Sequence, residues 1–262
     1  MMIGVFDSGF GGLTILSALL RELPEYDYIY LGDSARAPYG GHSKEMVLQY
    51  TREGVQNLFK RGAKIVILAC NTASALALKE LQKEFNSKDR NILGVVAPIA
   101  ESVAAGGHER VAIIGTKGTT SSGAYDLEIK KNTEGCLIKN KACPLLVPLI
   151  EEGWSHKMET RRVLKSYLRE IKNWHPDVLV PACTHYPILQ KEMQRIMGRK
   201  VEVLDTGTIV AKSLKDYLAR HDEYELTRGG KREFLCTDCP EHFKKWGSKF
   251  LEEKIDAVEQ LI

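Results

Sequence analysis

Long apolar runs are missing from this sequence. The longest, KIVILAC and CPLLVPLI, fall far short of the roughly 20 residues needed to cross a bilayer, which excludes a membrane-spanning helix. The N-terminal MMIGVFDSGFGG has no basic opening, and Asp7 interrupts its apolar stretch early. No signal peptide is therefore expected, and the expected location is the cytoplasm. A charge excess is missing too. Lys plus Arg number 37 against 34 Asp plus Glu, a net charge of +3, with no dense basic block, so nucleic acid is not an expected partner. Short Lys-rich stretches such as EHFKKWGSKFLEEK read as solvated helix faces. The early glycine cluster GFGG is not a phosphate loop: Thr14 stands where the last glycine of G-x-G-x-x-G belongs, and no G-K-[ST] follows. Cysteine pairing is sparse as well. Of six cysteines, only Cys236 and Cys239 form a C-x-x-C, and without a second ligand pair no metal is expected there. In a reducing compartment all six should be free thiols.

What is present is alternation. The 262 residues are 44% apolar and 27% charged, the balance of a globular protein with room for about two domains. Short apolar runs (MIGVF, YDYIYLGD, AKIVILAC, NILGVVAP, RVAIIGT, PDVLVPAC, KVEVLDTG) each precede a helix-like stretch. Near-continuous apolar strands are expected where both sheet faces are covered, so the pattern predicts an α/β fold with largely parallel sheets. A faint internal repeat sets IGVFDSGFGG against VAIIGTKGTT, and LACNT against PACTH 113 positions later (183 − 70). It predicts two similar α/β domains facing across a cleft. Boundaries near Leu93–Pro98 and Val203–Thr208 give residues 1–95 plus 207–262 for the domain of Asp7 and Cys70, and 96–206 for that of Thr116 and Cys183. KREFLCT is expected to be extended and to return with a final helix to the first domain.

The chemistry centres on Cys70 and Cys183. Each follows an apolar strand and opens a helix-like segment, where backbone amides favour a thiolate. Each is followed by hydrogen-bonding residues: Asn71 and Thr72 in one case, Thr184 and His185 in the other. A single such cysteine would be read as a small buried apolar residue; two in matching context call for a task. Disulfide exchange, nucleophilic catalysis and stereoinversion are the candidates. The last needs two bases on opposite walls of a cleft, each able to act as acid or base. Asp7 and His185 are the groups placed to assist, although Asp7 could instead cap the next helix. LGDSARAPYGGHS offers the hydroxyls of Ser34 and Tyr39 and amides near Gly40; GTKGTTSS, Gly115 to Ser122, offers several hydroxyls and amides; PLIEEGW offers Glu151 or Glu152.

FDSGFGGLT, GDSARAPYG, ACNTASA, PLIEEG and CTHYPIL stand in the order and at the spacings of the glutamate racemases, which the sequence resembles from about Ile3 to at least Asp205. The resemblance is to the cofactor-independent aspartate/glutamate racemase superfamily, and His185 after Cys183-Thr184 is similar to its glutamate branch. It implies two α/β domains facing across a cleft, interconversion of L- and D-glutamate with no cofactor, a supply of D-glutamate for peptidoglycan, and a homodimer. It implies Cys70 and Cys183 as the catalytic bases, assisted by Asp7, His185 and Glu151. Substrate contacts would fall to Asp7, Ser8, Tyr39, Gly40, Asn71, Thr72, Thr116, Thr119, Thr184 and His185. The sequence departs from the resemblance at Pro181-Ala182, where Leu-Gly is usual, and at FLCTDC, where a threonine-rich end is usual. The rival readings are a racemase of aspartate or another small amino acid, a thiol redox protein or metal carrier working through Cys236 and Cys239, and a non-catalytic amino-acid binder.

Overall fold

The computed structural model describes residues 1–261. In chain order the first part runs β1 (Met2–Asp7), α1 (Leu13–Glu22), β2 (Tyr28–Gly32), α2 (Lys44–Lys60), β3 (Ala63–Leu68), α3 (Asn71–Phe85), β4 (Asn91–Gly94) and α4 (Val96–Ala105). The second part runs β5 (Arg110–Gly115), α5 (Lys117–Ser121), α6 (Ala124–Asn132), β6 (Leu137–Ala142), α7 (Leu146–Glu151), α8 (Met158–Asn173), β7 (Val178–Ala182), α9 (Gln190–Met197) and β8 (Glu202–Val203). Then follow α10 (Thr206–Ala219), β9 (Arg232–Cys236), α11 (Pro240–Leu251) and β10 (Glu259–Gln260). Among these residues no helix is long and apolar enough to cross a membrane.

The strands form two wholly parallel sheets, ordered β10-β9-β2-β1-β3-β4 and β6-β5-β7-β8. The second repeats the order β2-β1-β3-β4 of the first, so the repeat seen in the sequence is a repeat of topology. In the first sheet the two-residue period of a strand divides the apolar side chains between faces. Ile3, Val5, Tyr28, Tyr30, Ile65 and Ile67 pack on the α1 side. Phe6, Ile29, Leu31, Val66 and Leu68 pack with Val47, Val55 and Leu58 of α2 and Ala73, Ala77 and Leu81 of α3. Both faces are thus buried, which is why these strands read as unbroken apolar runs. The α1-side cluster continues into the core of the second sheet, through Val111, Ile113, Leu179 and Val180.

Several expectations on element boundaries change. The run NILGVVAP is not one strand: β4 ends at Gly94 and α4 begins at Val96, with Pro98 in its first turn, where a missing N–H costs nothing. LIKNKA forms β6, a strand hidden from the apolar-run pattern because it is an edge strand with partly exposed, polar side chains. KVEVLDTG supplies only the two residues of β8. KREFLCT is extended, as β9 beside β2 in the first sheet, and α11 follows it. Pro181 lies inside β7, yet β8 pairs with β7 only at Val178 and Leu179. Leu179 turns its carbonyl toward β8 and accepts from Leu204 N, and Pro181, two residues on, faces the same side beyond the end of β8. No ladder bond is lost there.

Candidate active site

In parallel sheets of this kind, ligands bind beyond the carboxyl ends of the strands, where the strand order reverses. In the first sheet that point lies between β1 and β3, and in the second between the corresponding β5 and β7. Asp7 is the last residue of β1, and Cys70 follows β3 as the residue preceding α3. Thr116 follows β5 and caps α5, its side chain accepting from Thr119 N. Cys183 follows β7. Equivalent strands of the two sheets therefore deliver the two cysteines.

They deliver them to one cavity. It is a tight space lined by Cys70, Asn71 and Thr72 with Ser8, Tyr39 and Gly40 on one side, and by Cys183, Thr184 and His185 with Thr116 and Glu151 on the other. Both cysteines are buried, each 6% exposed. The walls touch through hydroxyls: Thr72 Oγ1 lies 2.9 Å from Thr116 Oγ1 and 3.2 Å from Thr119 Oγ1. Tyr125 OH donates to Asn71 Oδ1 at 2.6 Å, and Thr14 Oγ1 donates to the Thr184 carbonyl at 2.9 Å. A larger open groove between α8 and α9, lined by basic side chains including Arg161, Arg162, Lys165, Arg169 and Arg195, contains no thiol.

Charge is arranged unevenly across the cavity. Burial pushes the Cys70 thiol up to about 12, and the nearby Asp7 carboxylate adds to this, against weaker help from Ser8 and the Ala73 amide. The thiolate expected from helix-end amides is therefore not favoured at Cys70 in the unliganded chain: the amide contributes, but burial outweighs it. Cys70 Sγ donates to Ser8 Oγ at 3.5 Å. On the other wall, Cys183 Sγ lies 3.9 Å from His185 Nδ1, and His185 Nε2 lies 3.0 Å from Glu151 Oε1. Burial alone would lower the His185 pKa, but its bonds to Cys183 and Glu151 prevail and hold it up to about 10. Asp7 is fully buried, and that burial raises its pKa against the opposing charge of His185. It accepts from Gly9 N at 3.0 Å and from Thr184 Oγ1 at 3.3 Å.

A family model described as Asp/Glu/hydantoin racemase matches residues 13–214. The chain belongs to the Asp/Glu/hydantoin racemase family. It is 38% identical to the glutamate racemase of Aquifex aeolicus over 257 residues, covering 98% of this chain and 96% of that one. Among solved structures it is similar to the glutamate racemase of Francisella tularensis in complex with D-glutamate, with a TM-score of 0.91 and 32% identity over 100% of this chain and 97% of that one. The Thermus thermophilus glutamate racemase in complex with beta-chloro-D-alanine superposes with a TM-score of 0.87 at 36% identity, over 99% and 96% of the two chains.

In this racemase the remaining sequence expectations find their places. Asp7 is not a simple helix cap, because the residue before α1 is Gly12, with no side-chain cap bond. Cys70 opens α3 directly, whereas Cys183 leads into a short 3-10 turn, Tyr186–Leu189, ahead of α9. Ser34 does not reach the cavity: its hydroxyl donates to the Asp238 carbonyl at 2.7 Å. Tyr39 lines the cavity, but its hydroxyl is donated to Asp33. Thr119 stands behind the lining, bonded to Thr72 and Thr116. Glu151 meets His185, while its neighbour Glu152 is exposed. Cys236 is buried at the end of β9 and Cys239 is exposed. Pattern reading missed Pro38, Val147 and Ala182, which line the cavity without any chemical signature. It also missed the purpose of GFGG. A Cβ at Gly11 would lie 2.4 Å from His185 Cε1, and one at Gly12 would lie 2.5 Å from Asp7 Cβ. The glycines make room for His185 at the cavity and for Asp7, which is buried behind its lining.

Proposed function

We propose that this chain interconverts L- and D-glutamate by proton removal and return at the α carbon, without a cofactor, using Cys70 and Cys183 as bases on opposite walls. The observation that carries the reading is the delivery of two buried thiols, by equivalent strands of two like sheets, to a single cavity. Residues 1–95 plus 207–262 and residues 96–206 are the two domains that make the walls. One thiol must begin as thiolate and the other as thiol. Cys70 is held protonated by its surroundings, which suits it to donate first. Cys183 has His185 beside it, with Nδ1 3.9 Å from Sγ, placed to exchange a proton with it. After one turnover the roles are exchanged, and return of the proton to Cys70 prepares the next cycle in the same direction. A substrate ammonium entering near Asp7 brings positive charge that lowers the Cys70 pKa. Ser8, Tyr39, Gly40, Asn71, Thr72, Thr116, Thr184 and His185 are the proposed substrate contacts, while Thr119, behind the lining, would hold Thr72 and Thr116 in place. The supply of D-glutamate for peptidoglycan, the cytoplasm and a homodimer belong to the same reading and are carried by the resemblance to glutamate racemases.

The test is purified protein with L-glutamate in D2O and no pyridoxal phosphate, followed by NMR and polarimetry. Deuterium should enter the α position as optical rotation is lost, and L-aspartate in parallel should stay unlabelled. Cys70→Ser and Cys183→Ser should each lower inversion by more than about 100-fold, as expected on removing a general base. Inversion at the native rate by both single variants refutes the assignment.

A further inference from the structure

One helix of the first wall grips the acid–base pair of the second. Helix α11 is anchored to the first sheet through Phe243, whose ring lies 5.8 Å from that of Tyr30 in β2. Trp246 and Phe250, four residues apart, share one face of this helix. The Phe250 ring lies edge-on to His185, at a centroid separation of 5.4 Å and an interplanar angle of 79°. Phe10, from the loop after β1, lies 5.9 Å from His185 and 5.1 Å from Phe250, so the three rings are in mutual contact. Gly11 closes a further side, with its Cα hydrogen directed at the imidazole. Trp246 packs against Gly153, two residues beyond Glu151: a Cβ there would meet its ring at 2.3 Å. The imidazole thus sits in a slot built by the opposite wall, and only its nitrogens are left to polar partners, Cys183 at one end and Glu151 at the other.

We propose that Phe250, with Phe10, is a positioning residue for the half-reaction of Cys183, acting through the orientation of His185. This rests on the two-thiol reading above. Two fixed ring contacts leave the imidazole little rotational freedom, so Nδ1 stays directed at the sulfur. Without them the ring can turn while Glu151 still holds Nε2, and the Nδ1–sulfur contact is lost. No such slot surrounds Cys70, whose polar partner is Ser8. The effect should therefore fall on one base and spare the other.

Full turnover conceals such asymmetry. Enantiomers have equal free energy in water, so kcat/KM is the same in both directions for any variant. The half-reactions are separated with the L and D forms of a β-chloro analogue of glutamate. One base removes the α proton, the C–H electron pair forms the α,β double bond, and chloride leaves. Elimination that survives Cys70→Ser marks the antipode served by Cys183. With Phe250→Ala, elimination from that antipode should fall about tenfold or more, and from the other less than about threefold. Phe250→Leu keeps apolar volume without an aromatic face; it should show the same split and carries the test if the alanine variant does not fold. Phe250→Tyr should restore the native ratio. An equal fall for both antipodes, or no fall for either, overturns the proposal. If neither cysteine variant gives one-sided elimination, the two-thiol reading fails and this proposal with it.

Discussion

Replacing Gly11 with alanine probes the contact between the first glycine loop and His185. The new Cβ would lie 2.4 Å from His185 Cε1, 2.5 Å from Nδ1 and 2.6 Å from Thr184 Oγ1, where ordinary contact begins at 3.4 Å. The shortfall is 1.0 Å (3.4 − 2.4), and neither neighbour can yield freely. His185 is tied to Glu151, and Thr184 is tied to Asp7. The φ of Gly11 lies outside the left-handed region, so the effect is one of space and not of backbone strain. Overpacking of this kind costs about 1–3 kcal/mol, which lowers Tm by about 2–10 °C for a chain of this size. Moving the imidazole by about 1 Å should reduce racemisation by about 100-fold. The measurements are calorimetric Tm and α-deuterium incorporation from D2O. Gly41→Ala is the control, because a Cβ there meets nothing within 4 Å. A Gly11→Ala variant as active and as stable as Gly41→Ala refutes the packing argument.

Glu151→Gln removes the carboxylate beside His185, so the histidine pKa should fall from about 10, as histidine NMR titration can check. The raised folded-state pKa of His185 also has a stability consequence. Its contribution should be complete below the ordinary value of 6.5 and lost as pH rises toward about 10, so the gap in denaturant stability between native protein and His185→Gln should shrink over that range. Thr72→Val deletes the hydroxyl that meets Thr116 and Thr119 across the cavity; a loss of about 1 kcal/mol should appear as a several-fold rise in KM, and an unchanged KM counts against the contact. Cys239→Ser alters an exposed thiol away from the cavity and should leave racemisation within about twofold, well below the loss from removing a general base. A large loss would instead favour a role for the C-x-x-C pair.

Much of this molecule was legible in one dimension because its signals are local. Period-two burial on two covered faces made β1, β2, β3 and β7 visible as apolar runs, and the like contexts of Cys70 and Cys183 exposed the repeat. An edge strand such as β6 carries no such signal, since its exposed positions free it to be polar. Proximity between distant segments was legible only where the internal repeat implied it, as for Cys70 and Cys183. That Gly11 gives way to His185 and that Phe250 reaches the imidazole depend on chain segments up to 174 positions apart being packed together (185 − 11). The sequence alone determined the strand–helix alternation and the residue types available for chemistry, because backbone periodicity and side-chain identity are properties of neighbours. Only the tertiary structure decided which groups meet and how their charges interact, because burial and distance across the cavity follow from the packing of the whole chain.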